Sequence, residues 1–94
     1  MRVDLDSYIA LVHDFLNNKI SSNRFEYVYL KTFKNEKGEM SDREYDILNR
    51  IFMDVEALCL DPKLMDKDDI GEEKLRFRCK ASLRELKALQ ASPK

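Results

Sequence analysis

Between Asp54 and Glu73 the sequence carries eight carboxylates, Asp54, Glu56, Asp61, Asp66, Asp68, Asp69, Glu72 and Glu73, against two cations, Lys63 and Lys67. No other stretch is so acidic. Proton transfer or nucleophilic chemistry would need a nucleophile with a base, or a coupled pair of carboxylates in a recognisable motif, and neither is present. Two readings remain for the run. It is a solvated loop, or it is a surface of negative charge presented to a cationic partner.

The charge then inverts. From Lys74 onward come Lys74, Arg76, Arg78, Lys80, Arg84, Lys87 and Lys94, opposed only by Glu85. Helical spacing puts Arg76, Lys80, Arg84 and Lys87 on one face. That face is either a nucleic-acid contact or a solvated surface balanced by the acids before it. A formal net charge of −1 and a pI near 5.8 favour the second.

Cys59 and Cys79 stand twenty residues apart, with no CxxC and one histidine in the chain. Zinc and a disulfide framework are therefore both poorly supported, and the two thiols are expected to be reduced core residues. His13 falls on the flank of an apolar face beside Asp14, as a boundary histidine without a nucleophile. Gly38 and Gly71 are the only glycines and stand alone, so no phosphate-cradling loop is present. No cofactor or metal is expected, and no enzymatic role.

Four amphipathic segments must position these charges. Leu5, Tyr8, Ile9, Val12, Phe15 and Leu16 predict a helix over roughly residues 6 to 18, with Asp4 or Asp6 as cap or first-turn acid. Asn17-Asn18-Lys19 closes it. Ser21, Ser22 and Asn23 offer caps for a second helix, Asn23 and Glu26 having capping-box spacing, with Phe25, Val28, Tyr29, Thr32 and Phe33 as its buried stripe. Tyr27 and Phe77 are candidate exposed aromatics.

The third helix begins at the capping box of Ser41 and Glu44. It carries Tyr45, Leu48, Phe52, Val55 and Cys59, widened by Ile47, Ile51 and Leu58, and is expected to run until Asp61-Pro62. A helical wheel sets Asp54 and Glu56 on opposite flanks of that stripe, where both are expected to stay solvated. A fourth helix is expected to open near Asp69, which repeats the capping-box spacing with Glu72. It buries Leu75, Cys79, Leu83, Leu86 and Leu89.

With 94 residues, 44% hydrophobic and 37% charged, and only two prolines and two glycines, the chain reads as one all-α domain spanning 1–94. Short connections make it an antiparallel four-helix bundle. One basic residue, Arg2, followed by Asp4 and Asp6 does not suit a signal peptide. No apolar run approaches the roughly 18 residues of a membrane span. A cytoplasmic protein without a membrane partner is expected.

Several runs carry a resemblance. These are Lys19-Ile-Ser-Ser-Asn-Arg-Phe-Glu26; the serine-capped third helix with Ile47-Leu48-Asn49, Phe52-Met53, Glu56 and Asp61; and a fourth helix ending Ser82-Leu83-Arg84-Glu85-Leu86. Over nearly its whole length the chain resembles the colicin D immunity protein family, which includes immunity proteins of contact-dependent inhibition systems. The resemblance implies a small helical bundle that binds a cognate nuclease toxin, among them ribonucleases that cut tRNA, and occludes its active site.

Glu56 and Asp61 match the family's acidic positions. Asp54, Asp66, Asp68, Asp69, Glu72 and Glu73 are the further candidates for toxin contact, although the loop beyond Pro62 departs from the family pattern. An acidic surface suits such a partner, because a nuclease presents lysines and arginines where phosphates bind. The partner implied is a protein rather than nucleic acid. The reading from another class is a small nucleic-acid-binding regulator that uses the basic face of the fourth helix.

Overall fold

Three polar side chains set the starts of the first three helices. The computed structural model describes residues 1–61, 63–67 and 69–91. Within them lie α1 (Leu5–Leu16), α2 (Ser22–Lys34), α3 (Asp42–Glu56) and α4 (Glu72–Ala91). Asp4 caps α1 by accepting from the Ser7 N–H, Ser21 caps α2 by accepting from Arg24, and Ser41 caps α3 in a complete capping box with Glu44. Each side chain supplies an acceptor to an N–H that the helix itself leaves free.

The end of α1 is equally local. Asn18 adopts a left-handed conformation, φ 61°, and the Asn18 and Lys19 N–H groups donate to Phe15 and Asp14, a Schellman closure with asparagine where glycine is usual.

Neighbouring helices run antiparallel. Phe15 near the end of α1 stacks on Phe25 near the start of α2, with centroids 4.4 Å apart, while Tyr8 meets Phe33 at the other end of the pair. Tyr29 on α2 donates to the Leu48 carbonyl of α3, and α4 returns along α3 through Asp54–Arg78 and Arg50–Glu85. Arg76 and Gln90 tie α4 to Phe15 and Asp6 of α1. Tyr8, Val12, Phe15, Phe25, Tyr29, Leu48, Ile51, Val55, Leu75, Cys79 and Leu86 fill the shared interior. The expected all-α four-helix bundle is what the chain forms.

No strand is present among the described residues, but two isolated parallel bridges are, Arg2↔Glu39 and Leu58↔Ile70. Each pins one end of the bundle.

Of the three caps offered for α2, Ser21 is the one used, and the Asn23–Glu26 spacing is not a capping box. Other boundaries differ from the sequence reading. The third helix stops at Glu56 rather than at Asp61-Pro62, because the backbone turns off to let Leu58 pair with Ile70: the Ile70 N–H donates to Ala57 and the Cys59 N–H to Ile70. Ile70 is buried by this and Leu58 packs against the core. Pro62 lies outside the described residues. The fourth helix starts at Glu72, and Asp69 belongs to the loop instead of capping it. Tyr45 is half exposed and Phe52 only partly buried, because α2 covers one edge of that flank; the interior of α3 is Ile47, Leu48, Ile51 and Val55.

Candidate functional site

Antiparallel packing gathers the C-terminus of α3, the N-terminus of α4 and the loop between them at one end of the bundle. The eight acids of the sequence reading do not share one fate there. Asp54 is 7% exposed and accepts from Arg78 at 3.2 Å, in the seam between α3 and α4. Burial pushes its carboxyl above the ordinary range, against the opposing pull of Arg78 and Arg50. The expectation that Asp54 stays solvated is therefore wrong. Its flank of the apolar stripe is where α4 packs, and a wheel drawn on one helix contains no information about its neighbour.

Glu72 opens α4 and pairs with Arg76 one turn on, at 3.0 Å. The Ser22 hydroxyl first, and then Arg76, hold this carboxyl below its usual range, tying α4 to the start of α2. Asp69 is half-buried and its carboxylate accepts from the Asp66 N–H at 3.0 Å, closing a turn inside the loop. Asp68 lies outside the described residues.

Four acids remain exposed: Glu56, Asp61, Asp66 and Glu73. Asp61 also has a local task, since its carboxylate accepts from the Lys63 N–H at 2.9 Å and its carbonyl from Leu64 at 3.0 Å. Glu56 ends α3 and Glu73 lies in the first turn of α4, so the two bracket the loop. With its ends joined by the Leu58–Ile70 bridge and its interior folded by two carboxylate-to-backbone bonds, the segment is a tied loop.

Three apolar side chains escaped the sequence reading. Leu60, Leu64 and Met65 are 47%, 73% and 39% exposed, interleaved with Asp61 and Asp66. They belong to no periodic stripe, and that was the available signal: large apolar residues in a segment with no helix to bury them on.

The basic face of α4 is reduced by the same packing. The Arg76 guanidinium lies 4.4 Å over the Phe15 ring and donates to the Phe15 carbonyl and to Glu72. Lys80, Arg84 and Lys87 remain exposed along α4. Phe77 is 74% exposed and Tyr27 59%, on different helices, as the sequence suggested. Cys79 is buried and free, its thiol pushed up to about 12 by burial; Cys59 is a free thiol too, half-buried beyond the end of α3 with its Sγ 3.3 Å from the Asp61 carbonyl.

No helix among the described residues is long and apolar enough to cross a membrane. Residues 3–86 match the sequence model of a family described as bacterial self-protective colicin-like immunity. No curated protein and no solved structure shows a significant match to the chain.

Proposed function

The chain belongs to the bacterial self-protective colicin-like immunity family, and we propose that it neutralises a nuclease toxin, a tRNA-cleaving ribonuclease, by setting the α3–α4 end of the bundle against the toxin's basic substrate cleft. The supporting observation is the set of four exposed carboxylates, Glu56, Asp61, Asp66 and Glu73, on and beside one tied loop. A cleft built to hold phosphates has cations at intervals, and carboxylates presented at such positions gain charge-assisted contacts while excluding the substrate.

Glu56 and Asp61 take the closest contacts in this reading, Asp66 and Glu73 the rim. Asp54, Asp69 and Glu72 serve from behind by holding the seam, the loop and the start of α4 in place. Where Asp68 contributes is set by its place in the loop sequence alone.

The test is protection of cells that express the cognate toxin. The Glu56→Lys, Asp61→Lys double variant should fold, as its melting curve will report, and fail to protect. Asp61→Asn keeps the acceptor for Lys63 and should retain the fold of the loop. Arg84→Glu, on the basic face of α4, should protect as well as the parent. Full protection by the double variant would place the toxin on another surface. A titration with labelled tRNA separates the regulator reading, under which micromolar binding would persist at physiological salt.

A further inference from the structure

The loop that joins α3 to α4 exposes more than charge. Leu60, Leu64 and Met65 fall within six residues, whereas the other large exposed hydrophobics, Met1, Tyr27, Tyr45, Met53 and Phe77, are spread over the chain's start and three helices. Single exposed apolar residues are ordinary on a protein surface. Three in one short loop, in a chain that buries its other leucines wholly or in part, are not. We infer that Leu64 and Met65, flanked by Leu60, form the apolar anchor of the toxin interface, entering an apolar pocket rimmed by cations on a basic protein domain. This rests on the proposed function and assigns the tight-binding element of that same end of the bundle.

Charge selects the occupant. Asp61 and Asp66 lie on either side of Leu64 and Met65 in the loop, with Glu56 and Glu73 at its two helix ends; these four exposed acids outnumber the exposed Lys63 and Lys67 two to one. An apolar patch in a setting of net negative charge disfavours nucleic acid and anionic lipid. A second copy of the chain would bring two surfaces of the same net sign together. The patch suits a protein surface that is apolar at the centre and positive around it.

The loop is also held before binding. The Leu58–Ile70 bridge joins its ends, and the Asp61 and Asp69 carboxylates accept backbone N–H groups within it. Little conformational freedom is lost when such a loop docks. The two kinds of side chain then divide the work: rim charges act mainly on the encounter rate, and desolvated central contacts on the lifetime of the complex.

The experiment measures association and dissociation rates against a catalytically inactivated domain of the cognate toxin, at two salt concentrations. Leu64→Ala with Met65→Ala should raise the dissociation rate on the order of tenfold and leave the association rate unchanged. Asp66→Asn with Glu73→Gln should slow association and flatten its salt dependence, leaving dissociation unchanged. All four side chains are exposed, so melting curves of both variants should match the parent.

An unchanged dissociation rate in the Leu64, Met65 variant overturns the anchor. If Glu56→Lys with Asp61→Lys still abolishes protection in that case, the acidic-surface reading stands without it. If the charge reversal is also without effect, the proposed function itself is overturned and the anchor with it.

Discussion

The two ends of the bundle are closed by the same device and differ in what their acids stand beside. At the end where the chain begins, residues 1–3 lie against Glu39: the Val3 N–H donates to Glu39 and the Glu39 N–H to Met1. Four of the acids there have close side-chain partners within the fold, while Asp42 and Asp46 in the first turns of α3 stay exposed. Glu36 accepts from the Tyr8 hydroxyl at 2.7 Å and the Gly38 N–H at 2.8 Å, Glu44 accepts from the Ser41 N–H and from Arg2, Asp4 caps α1, and Asp6 takes Gln90. Val3 is buried beneath this clasp. At the other end the Leu58–Ile70 bridge ties a loop whose acids mostly face outward, beside three exposed apolar side chains. A carboxylate with an internal partner is explained by folding. What sets the loop end apart is the pairing of exposed carboxylates with exposed apolar side chains, and the family supplies a partner for such a surface.

The sharpest way to break this contrast is through the two glycines, one at each end. A Cβ on Gly38 would lie 2.8 Å from the Glu36 Oε2, which can swing away, but also 2.7 Å from the Val3 Cα and 2.8 Å from its nitrogen, backbone atoms that cannot. Gly38→Ala should therefore push the N-terminal segment off its partner and destabilise the protein by about 1–3 kcal/mol, the usual cost of overpacking. A Cβ on Gly71 would meet nothing nearer than the Met65 methyl at 3.9 Å. Gly71→Ala should change stability by less than about 0.5 kcal/mol, as an uncrowded surface position does. Denaturant unfolding of the two variants checks the pair, and equal losses would show that the loop end is as tightly built as the clasp.

Next in size comes a comparison of carboxylates. Glu44 is 5% exposed, completes the capping box and bonds Arg2 at 2.5 Å. Its replacement by alanine should cost about 1–2 kcal/mol through the lost cap and the orphaned donors. Asp66→Ala at the other end should leave the unfolding midpoint almost unmoved, while weakening toxin protection. A stability loss in Asp66→Ala equal to that in Glu44→Ala would mean that the loop acids are structural after all.

What the sequence revealed follows the same division between local and remote causes. The Ser41–Glu44 box was legible because both partners sit within one turn. The apolar stripes of α1 and α4 were legible because burial repeats with the helix. The same spacing rule misled at Asn23–Glu26, where Ser21 lies two residues earlier and takes the cap, and at Asp69–Glu72, where the Asp69 carboxylate turns back to the Asp66 N–H. Asp54 was misplaced because its partner, Arg78, is twenty-four residues away on a helix whose position only the fold sets. Leu60, Leu64 and Met65 escaped notice because exposure outside a regular element depends on what fails to cover it, and no periodicity encodes that.

The smallest effect expected is in the acid limb of stability, and it separates carboxylates by sign. Although burial raises it, Glu44 is held below its ordinary range by Ser41 and Arg2, and Glu72 is held down by Ser22 and Arg76. Each contributes stability that is present above the unfolded-state carboxylate pKa of about 4.3 and is lost as pH falls through the lower folded value. Asp54 has the opposite sign. Burial raises its folded pKa, so the native state binds its proton more readily than the unfolded chain, and stability from this group grows as pH falls. Unfolding midpoints measured between neutral pH and pH 3 should thus decline toward acid in the parent, less steeply in Glu44→Gln and more steeply in Asp54→Asn. A flatter acid limb in Asp54→Asn would show that Arg78 outweighs burial in the α3–α4 seam, and that the acids at this end, like those of the clasp, are held by the fold rather than kept for a partner.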